Sequence, residues 1–141
     1  MKLEDLESEI ELDSKLDKDL SAESLKIPLL AAKYRRYYVH ESKVLHQAQI
    51  KQSDMEFRLY QYYNGEASEQ DYRDHPINKL PLKGRIPDFI KNDKRMVELN
   101  EKVRNQELKV FAIQDFMKGL NQRSFDIKNA IAWERFKSGL N

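Results

Sequence analysis

Residues 28–64 read PLLAAKYRRYYVHESKVLHQAQIKQSDMEFRLYQYYN, with no glycine and no second proline inside the run. Apolar residues recur at helical spacing through Leu30, Tyr34, Tyr37, Val44, Ala48, Met55, Leu59 and Tyr62. Pro28 suits a first helical position, where a missing N–H costs nothing. Gly65 suits the residue just past a helix end, where positive φ is needed. The spacing therefore predicts one helix, about 55 Å long at 1.5 Å per residue. A rod of that length exceeds the core of a small domain, so much of one side must meet solvent or a partner.

A second line follows the same helix. Lys33, Arg36, His40, Lys43, Gln47, Lys51, Asp54 and Arg58 come at steps of three or four and form one stripe, a quarter to a third of a turn from the apolar line. Five of the eight carry fixed positive charge. Evenly spaced lysines and arginines along a rod neutralise phosphates and release counterions. Tyr37, Phe57, Tyr60, Tyr62 and Tyr63 stand nearby as stacking platforms for unpaired bases. Tyr34, Tyr37 and Tyr62 also lie on the apolar line, which suits a core role as well. Arg58 and Tyr62, one turn apart, are spaced for a cation over an aromatic face. A solvated basic face beside a tyrosine-rich core is the plainer reading of the same pattern.

The chain has 141 residues, enough for one domain or a small domain with an arm. It has no cysteine, which excludes disulfide, zinc–cysteine and thiol chemistry. No stretch approaches a membrane span and the N-terminus has no apolar leader, so the chain reads as soluble and unsorted. The net charge of +1 conceals an asymmetry. Residues 1–24 hold nine acids and three bases, a net of −6; residues 25–141 hold fifteen acids and twenty-two bases, a net of +7. This contrast predicts an acidic arm that regulates binding by the basic body and does not hold the fold.

In the arm, Leu3, Leu6 and Ile10 share one face of a short acidic helix over residues 2–13. Residues 14–27 read as a connector, with Leu16, Leu20, Leu25 and Ile27 available for packing. After Gly65, SEQDYRDHP suits one helical turn before Pro76. INKLPLKGRIPDF then reads as extended chain, at most one short edge strand. Asn92 or Asp93 caps a second long helix. In it Met96, Leu99, Val103, Gln106, Val110, Ile113, Met117 and Leu120 alternate steps of three and four, a coiled-coil seam. Leu108 and Phe111 lie nearly opposite it, and a two-sided apolar helix is most simply buried by self-association. Ser124 caps a last helix, FDIKNAIAWERFKSG, ended by Gly139. The expected architecture is all-α: arm 1–24, basic helix 25–66, linker 67–91 and oligomerisation region 92–141.

No enzyme constellation stands out. GxxxxGK[ST], HExxH and GxSxG are absent, and His40, His46 and His75 lack metal-ligand spacing. The sequence calls for no cofactor and no metal.

MKLEDLESEI, RLYQYYNGEA, KLPLKGRIPDFIKNDKRM and NQRSFDIKNAIAWERFKSG, in this order, together resemble segments of the UvsY family, the recombination mediators of large tailed phages and their cyanobacterial-phage relatives. MKLEDLESEI is similar to the family's N-terminal helix, and RLYQYYNGEA to its basic–tyrosine–tyrosine–x–glycine segment. KLPLKGRIPDFIKNDKRM is similar to the linker of cyanophage-type members, and NQRSFDIKNAIAWERFKSG to the closing helix. The resemblance implies a non-enzymatic protein in the host cytoplasm that binds single-stranded DNA. It implies a ring-like hexamer or heptamer that helps a RecA-like phage recombinase replace the phage single-strand-binding protein. It also implies a Lys-x-Arg pair before the tyrosines as a DNA contact. Arg58 matches that arginine; Glu56 stands where the lysine belongs, and the spacing to Tyr62 and Tyr63 is one residue longer.

The combined expectation is an all-α DNA-binding mediator. Lys33, Arg36, His40, Lys43, Lys51 and Arg58 hold phosphates. Met96, Leu99, Val103, Val110, Ile113, Met117 and Leu120 build the ring, so that Ile113→Asp dissociates it. The alternatives are a coiled-coil adaptor without DNA contact and, less favoured, a small enzyme subunit.

Overall fold

The long central helix begins earlier than its sequence signals imply. The computed structural model describes residues 1–139, and every regular element among them is helical. α1 spans Leu3–Ser14, α2 Leu20–Tyr63, α3 Glu69–Asp74, α4 Ile86–Asn92 and α5 Lys94–Lys137, with a 3₁₀ turn over Lys83–Arg85. The fold class is all-α, as expected.

α2 takes its cap from Asp19, whose Oδ1 accepts the Ala22 N–H at 3.1 Å. Pro28 therefore lies inside α2 and does not open it. The Glu23 carboxylate accepts from the Asp17 N–H at 3.0 Å and from Lys26 Nζ at 2.8 Å, which ties down the turn preceding the proline. The connector shrinks to a few residues, and Leu16 and Leu25, expected to pack, are exposed. At the other end Gly65 adopts φ 81°. The Glu66 N–H donates to the Gln61 carbonyl at 2.8 Å and the Gly65 N–H to the Tyr62 carbonyl at 3.3 Å. This is the paired closure of a helix that ends on a left-handed glycine. The positive φ is what requires glycine at Gly65; a Cβ there would also meet the tip of the exposed Leu80 side chain, which can shift.

α5 is capped by Asp93, whose Oδ1 accepts the Arg95 N–H at 2.9 Å. It then runs unbroken to Lys137, with Ser124 inside it. No separate last helix starts at Ser124. Glycine and serine in a helix interior cost about 1 kcal/mol or less each, and buried Leu120 and Ile127 on either side of Ser124 hold the helix together. The proline-rich linker has no regular element from His75 to Leu82, in keeping with the extended chain expected there, and turns helical from Lys83 onward without an edge strand. Pro87 sits in the first turn of α4, where its missing N–H is harmless. Ile86 and Ile90, four apart, both face a core. No strand occurs among the described residues.

The chain divides into two units. Unit 1 comprises residues 1–43 and the chain from residue 107 onward. Its core is Leu6, Tyr34, Ile113, Phe116 and Leu120. Here α1 lies antiparallel to α2, because Glu9 reaches Tyr37 while Asp13 reaches Tyr34. The arm expected to stand apart from the fold is thus part of it: Leu6 is 1% exposed. Unit 2 comprises residues 44–106. Its core is Leu59, Tyr62, Tyr63, Ile86, Ile90 and Met96, flanked by Met55, Ala67, Tyr72 and Ile77. In each unit the α2 and α5 portions run antiparallel, as the contacts Tyr34–Phe116 and Tyr38–Gln114 in one and Gln52–Asn100 and Tyr63–Asp93 in the other require.

Candidate nucleic-acid interface

In unit 1 the basic stripe divides by partner. Lys33 Nζ lies 2.7 Å from a Glu9 carboxylate oxygen and 2.7 Å from Asp13 Oδ2. The Tyr34 hydroxyl donates to Asp13 Oδ2 at 2.8 Å, and the Tyr37 hydroxyl donates to Glu9 at 2.9 Å. Arg123 Nη2 donates to the Asp13 carbonyl at 2.8 Å. Lys33 is therefore the cation of a half-buried network that fastens α1 to α2, and its charge is matched within the fold. Arg36, His40 and Lys43 are exposed. With Arg35 and Val39 they line a shallow groove of about 320 Å³. Among the described residues, none of Arg35, Arg36 and Lys43 forms a salt bridge. Arg35 lies off the three–four spacing of the stripe, which is why the pattern missed it; the Arg-Arg doublet was the available signal.

In unit 2, Lys51 is exposed and the Arg58 side chain is 66% exposed, with Nη2 4.0 Å from Asp71 Oδ1. At that distance and exposure the pair contributes little, and Arg58 is available to a phosphate. The cation over the Tyr62 ring is Arg95, 4.9 Å from its centroid, and not Arg58. Tyr62 turns into the core, where its hydroxyl donates to the His75 carbonyl and its ring stacks on Tyr72 at 5.1 Å. Tyr63 donates to Asp93 Oδ2 at 2.6 Å. The paired tyrosines thus join the end of α2 to the start of α5. Of the five aromatics offered as platforms, Phe57 and Tyr60 are the two on the surface, 63% and 46% exposed; Tyr37, Tyr62 and Tyr63 face inward.

The expected oligomerisation seam is covered by its own chain. Ile113 is fully buried with Leu6, Tyr34, Phe116 and Leu120, and Met117 packs beside them; Met96 belongs to the unit 2 core. Val103 and Val110 are also buried, and Leu99 is partly so. The apolar surface that α5 leaves outward in unit 1 is Leu108, Phe111, Phe125, Trp133 and Phe136, the last two stacked at 5.6 Å.

Two carboxylates carry the electrostatics of the fold. Burial pushes the Asp93 carboxyl up, but the hydrogen bonds from Arg95 and Tyr63 outweigh it and hold the group below the usual carboxylate range. Asp13 behaves alike: burial raises it, and Lys33 and Tyr34 bring it below. The Tyr63 phenol is pushed up to about 12, first by burial and then by Asp93. A carboxyl depressed in the folded state adds stability above its unfolded pKa of about 3.9 and loses it as pH falls through the folded value. The urea midpoint is therefore expected to hold from neutrality to about pH 5 and to drop below about pH 4, with Asp93→Asn flattening the acid limb. An acid limb identical in the variant would remove Asp93 from this account.

Among the described residues no cluster of His, Asp or Glu could hold a metal ion. His40, His46 and His75 are all exposed. No described helix is long and apolar enough to cross a membrane.

Comparison with known proteins adds to this geometry. The sequence model of one family, described as "Recombination, repair and ssDNA binding protein UvsY", matches residues 9–140. A search of curated protein sequences found no match. Among solved structures, the fold is similar to a crystal structure of the bacteriophage T4 recombination mediator protein UvsY, lattice type II. The TM-score is 0.87 at 18% identity, covering 98% of each chain. The lattice type IV crystal structure of that protein gives a TM-score of 0.81 at 17% identity, covering 97% of this chain and 99% of that one.

Proposed function

This chain belongs to the UvsY family, and we propose that it is a non-enzymatic recombination mediator acting on single-stranded DNA in the infected host's cytoplasm. The observation that carries the reading is the set of exposed cations on α2. Arg35, Arg36 and Lys43 serve unit 1, and Lys51 and Arg58 serve unit 2. Each patch follows backbone phosphates without reading bases, so binding tolerates any sequence. A few contacts per protomer are weak alone and add through effective concentration when protomers assemble.

The outward face of α5 in unit 1, with Phe111, Phe125, Trp133 and Phe136, carries that assembly into a ring of six or seven copies. The ring holds the strand in a bent, exposed path, where a RecA-like phage recombinase replaces the phage single-strand-binding protein. The test is the lag before recombinase ATP hydrolysis on a strand already coated with single-strand-binding protein. The lag is expected to shorten when this protein is added. An unchanged lag, with the strand demonstrably bound, would leave a DNA-binding protein that is not a mediator. The adaptor reading would instead be favoured by a complete absence of DNA binding at every salt concentration.

A further inference from the structure

Unit 2 has a groove of about 760 Å³ beside its exposed aromatics. Phe57 and Tyr60, three apart on one side of α2, stand along it, and Ile90 and Met96 form its apolar floor. Gln52 and Asn100 also line it, joined by a hydrogen bond from Gln52 Nε2 to Asn100 Oδ1 at 2.7 Å. That bond uses one donor and one acceptor of the pair and leaves a carbonyl oxygen and an amide group on the groove wall. Lys91 contributes a cation and Glu56 an anion to the rim. The groove is thus an apolar slot with two exposed rings, a small polar wall and one cation and one anion on its rim.

The geometry points to an unpaired nucleobase as the occupant: the ring of one base stacks on Phe57 or Tyr60 while its edge meets Gln52 and Asn100. This inference rests on the single-stranded-DNA reading given above and extends it. Of the cations of this unit, Lys91 lies on the groove itself and suits a phosphate beside the stacked base. Phe57 and Tyr60 leave two large aromatic rings in water side by side along this groove, and every base offers them a π-face. A duplex has its base faces already stacked, so this slot adds a preference for single strands to a patch that is otherwise blind to strandedness.

The test compares labelled oligo-dT with an abasic strand of equal length, which keeps the phosphates and lacks the bases. Stacking is worth about 1–3 kcal/mol per base, so the native protein is expected to favour oligo-dT by roughly five- to a hundredfold. Phe57→Ala is expected to lose most of that preference while binding the abasic strand as the native protein does. Tyr60→Ala provides a second variant; both side chains are exposed, so neither truncation opens the core. Equal affinity of the native protein for the two strands, both salt-dependent, would overturn the base slot and leave the phosphate-binding reading standing. Failure to bind either strand would overturn both. A Phe57→Ala protein that keeps its preference for oligo-dT but changes its oligomeric mass would assign the groove to a protein contact and also overturn the proposal.

Discussion

Ile113→Asp is expected to unfold unit 1, whereas Phe111→Asp leaves it folded and weakens self-association. Ile113 is 0% exposed and packs with Leu6, Tyr34, Phe116 and Leu120. Removing such a side chain costs about 2–5 kcal/mol. An unpaired carboxylate in its place adds several kcal/mol more unless it takes up a proton. Together these approach the whole stability of a typical domain, about 5–15 kcal/mol. Phe111, two residues earlier, is 64% exposed and belongs to the outward face. An aspartate there meets water in the monomer and is buried only if copies associate through that face. Circular dichroism with urea titration reads the first effect, and sedimentation reads the second. If Ile113→Asp keeps a sharp urea transition and merely dissociates, the seam lies between copies and the intrachain packing described for it is wrong.

The second large effect is on DNA. Arg36→Glu with Lys43→Glu in unit 1, or Lys51→Glu with Arg58→Glu in unit 2, is expected to weaken oligo-dT binding by on the order of a hundredfold at low salt. Each replacement removes an attraction to a phosphate and installs a repulsion, and none of the four side chains lies in a core. Lys33→Ala is the contrasting variant. Its Nζ is held by Glu9 and Asp13, so its loss is expected to lower stability and to change affinity far less. Asp54→Asn, which removes an exposed anion from the α2 stripe, is expected to strengthen binding slightly. Fluorescence anisotropy of a labelled oligo-dT reads all of these. Charge reversals that leave affinity untouched would remove α2 as the DNA site, and the basic residues of α5, Lys118, Arg123, Lys128 and Arg135, would be tested next.

Periodicity made the two long helices legible, because 3.6-residue spacing over many turns survives any one breaker. Their ends were less so. Pro28 looks like an opening residue only if Asp19 is overlooked as a cap, and Ser124 looks like a new start only if Leu120 and Ile127 are not seen packing on both sides of it. Three prolines between residues 76 and 87 suggested extended chain, although the Ile86–Ile90 spacing already carried the helical alternative. The α5 seam was readable as a buried stripe, but a period cannot say whose surface covers it. Here α1 and α2 supply that surface in unit 1 through Leu6 and Tyr34. Lys33 fell on the stripe by spacing alone, and its acidic partners, twenty and twenty-four residues away, leave no trace in local pattern. The place of the acidic arm in the core is hidden for the same reason: two of its acids turn inward and serve as hydrogen-bond acceptors for tyrosines and a lysine.

The measurement that bears most directly on the central claim is the salt dependence of native oligo-dT binding. Single-strand affinity falls by roughly 0.7 in log K per unit of log salt for each phosphate neutralised. With Arg35, Arg36, Lys43, Lys51 and Arg58 all engaged, five contacts give a limiting slope of about −3.5 per protomer. A steep linear fall toward that value is expected, with little dependence on base sequence and a slope about one unit or less shallower for each cation removed. A flat salt response, or affinity that follows base sequence and ignores ionic strength, would contradict it.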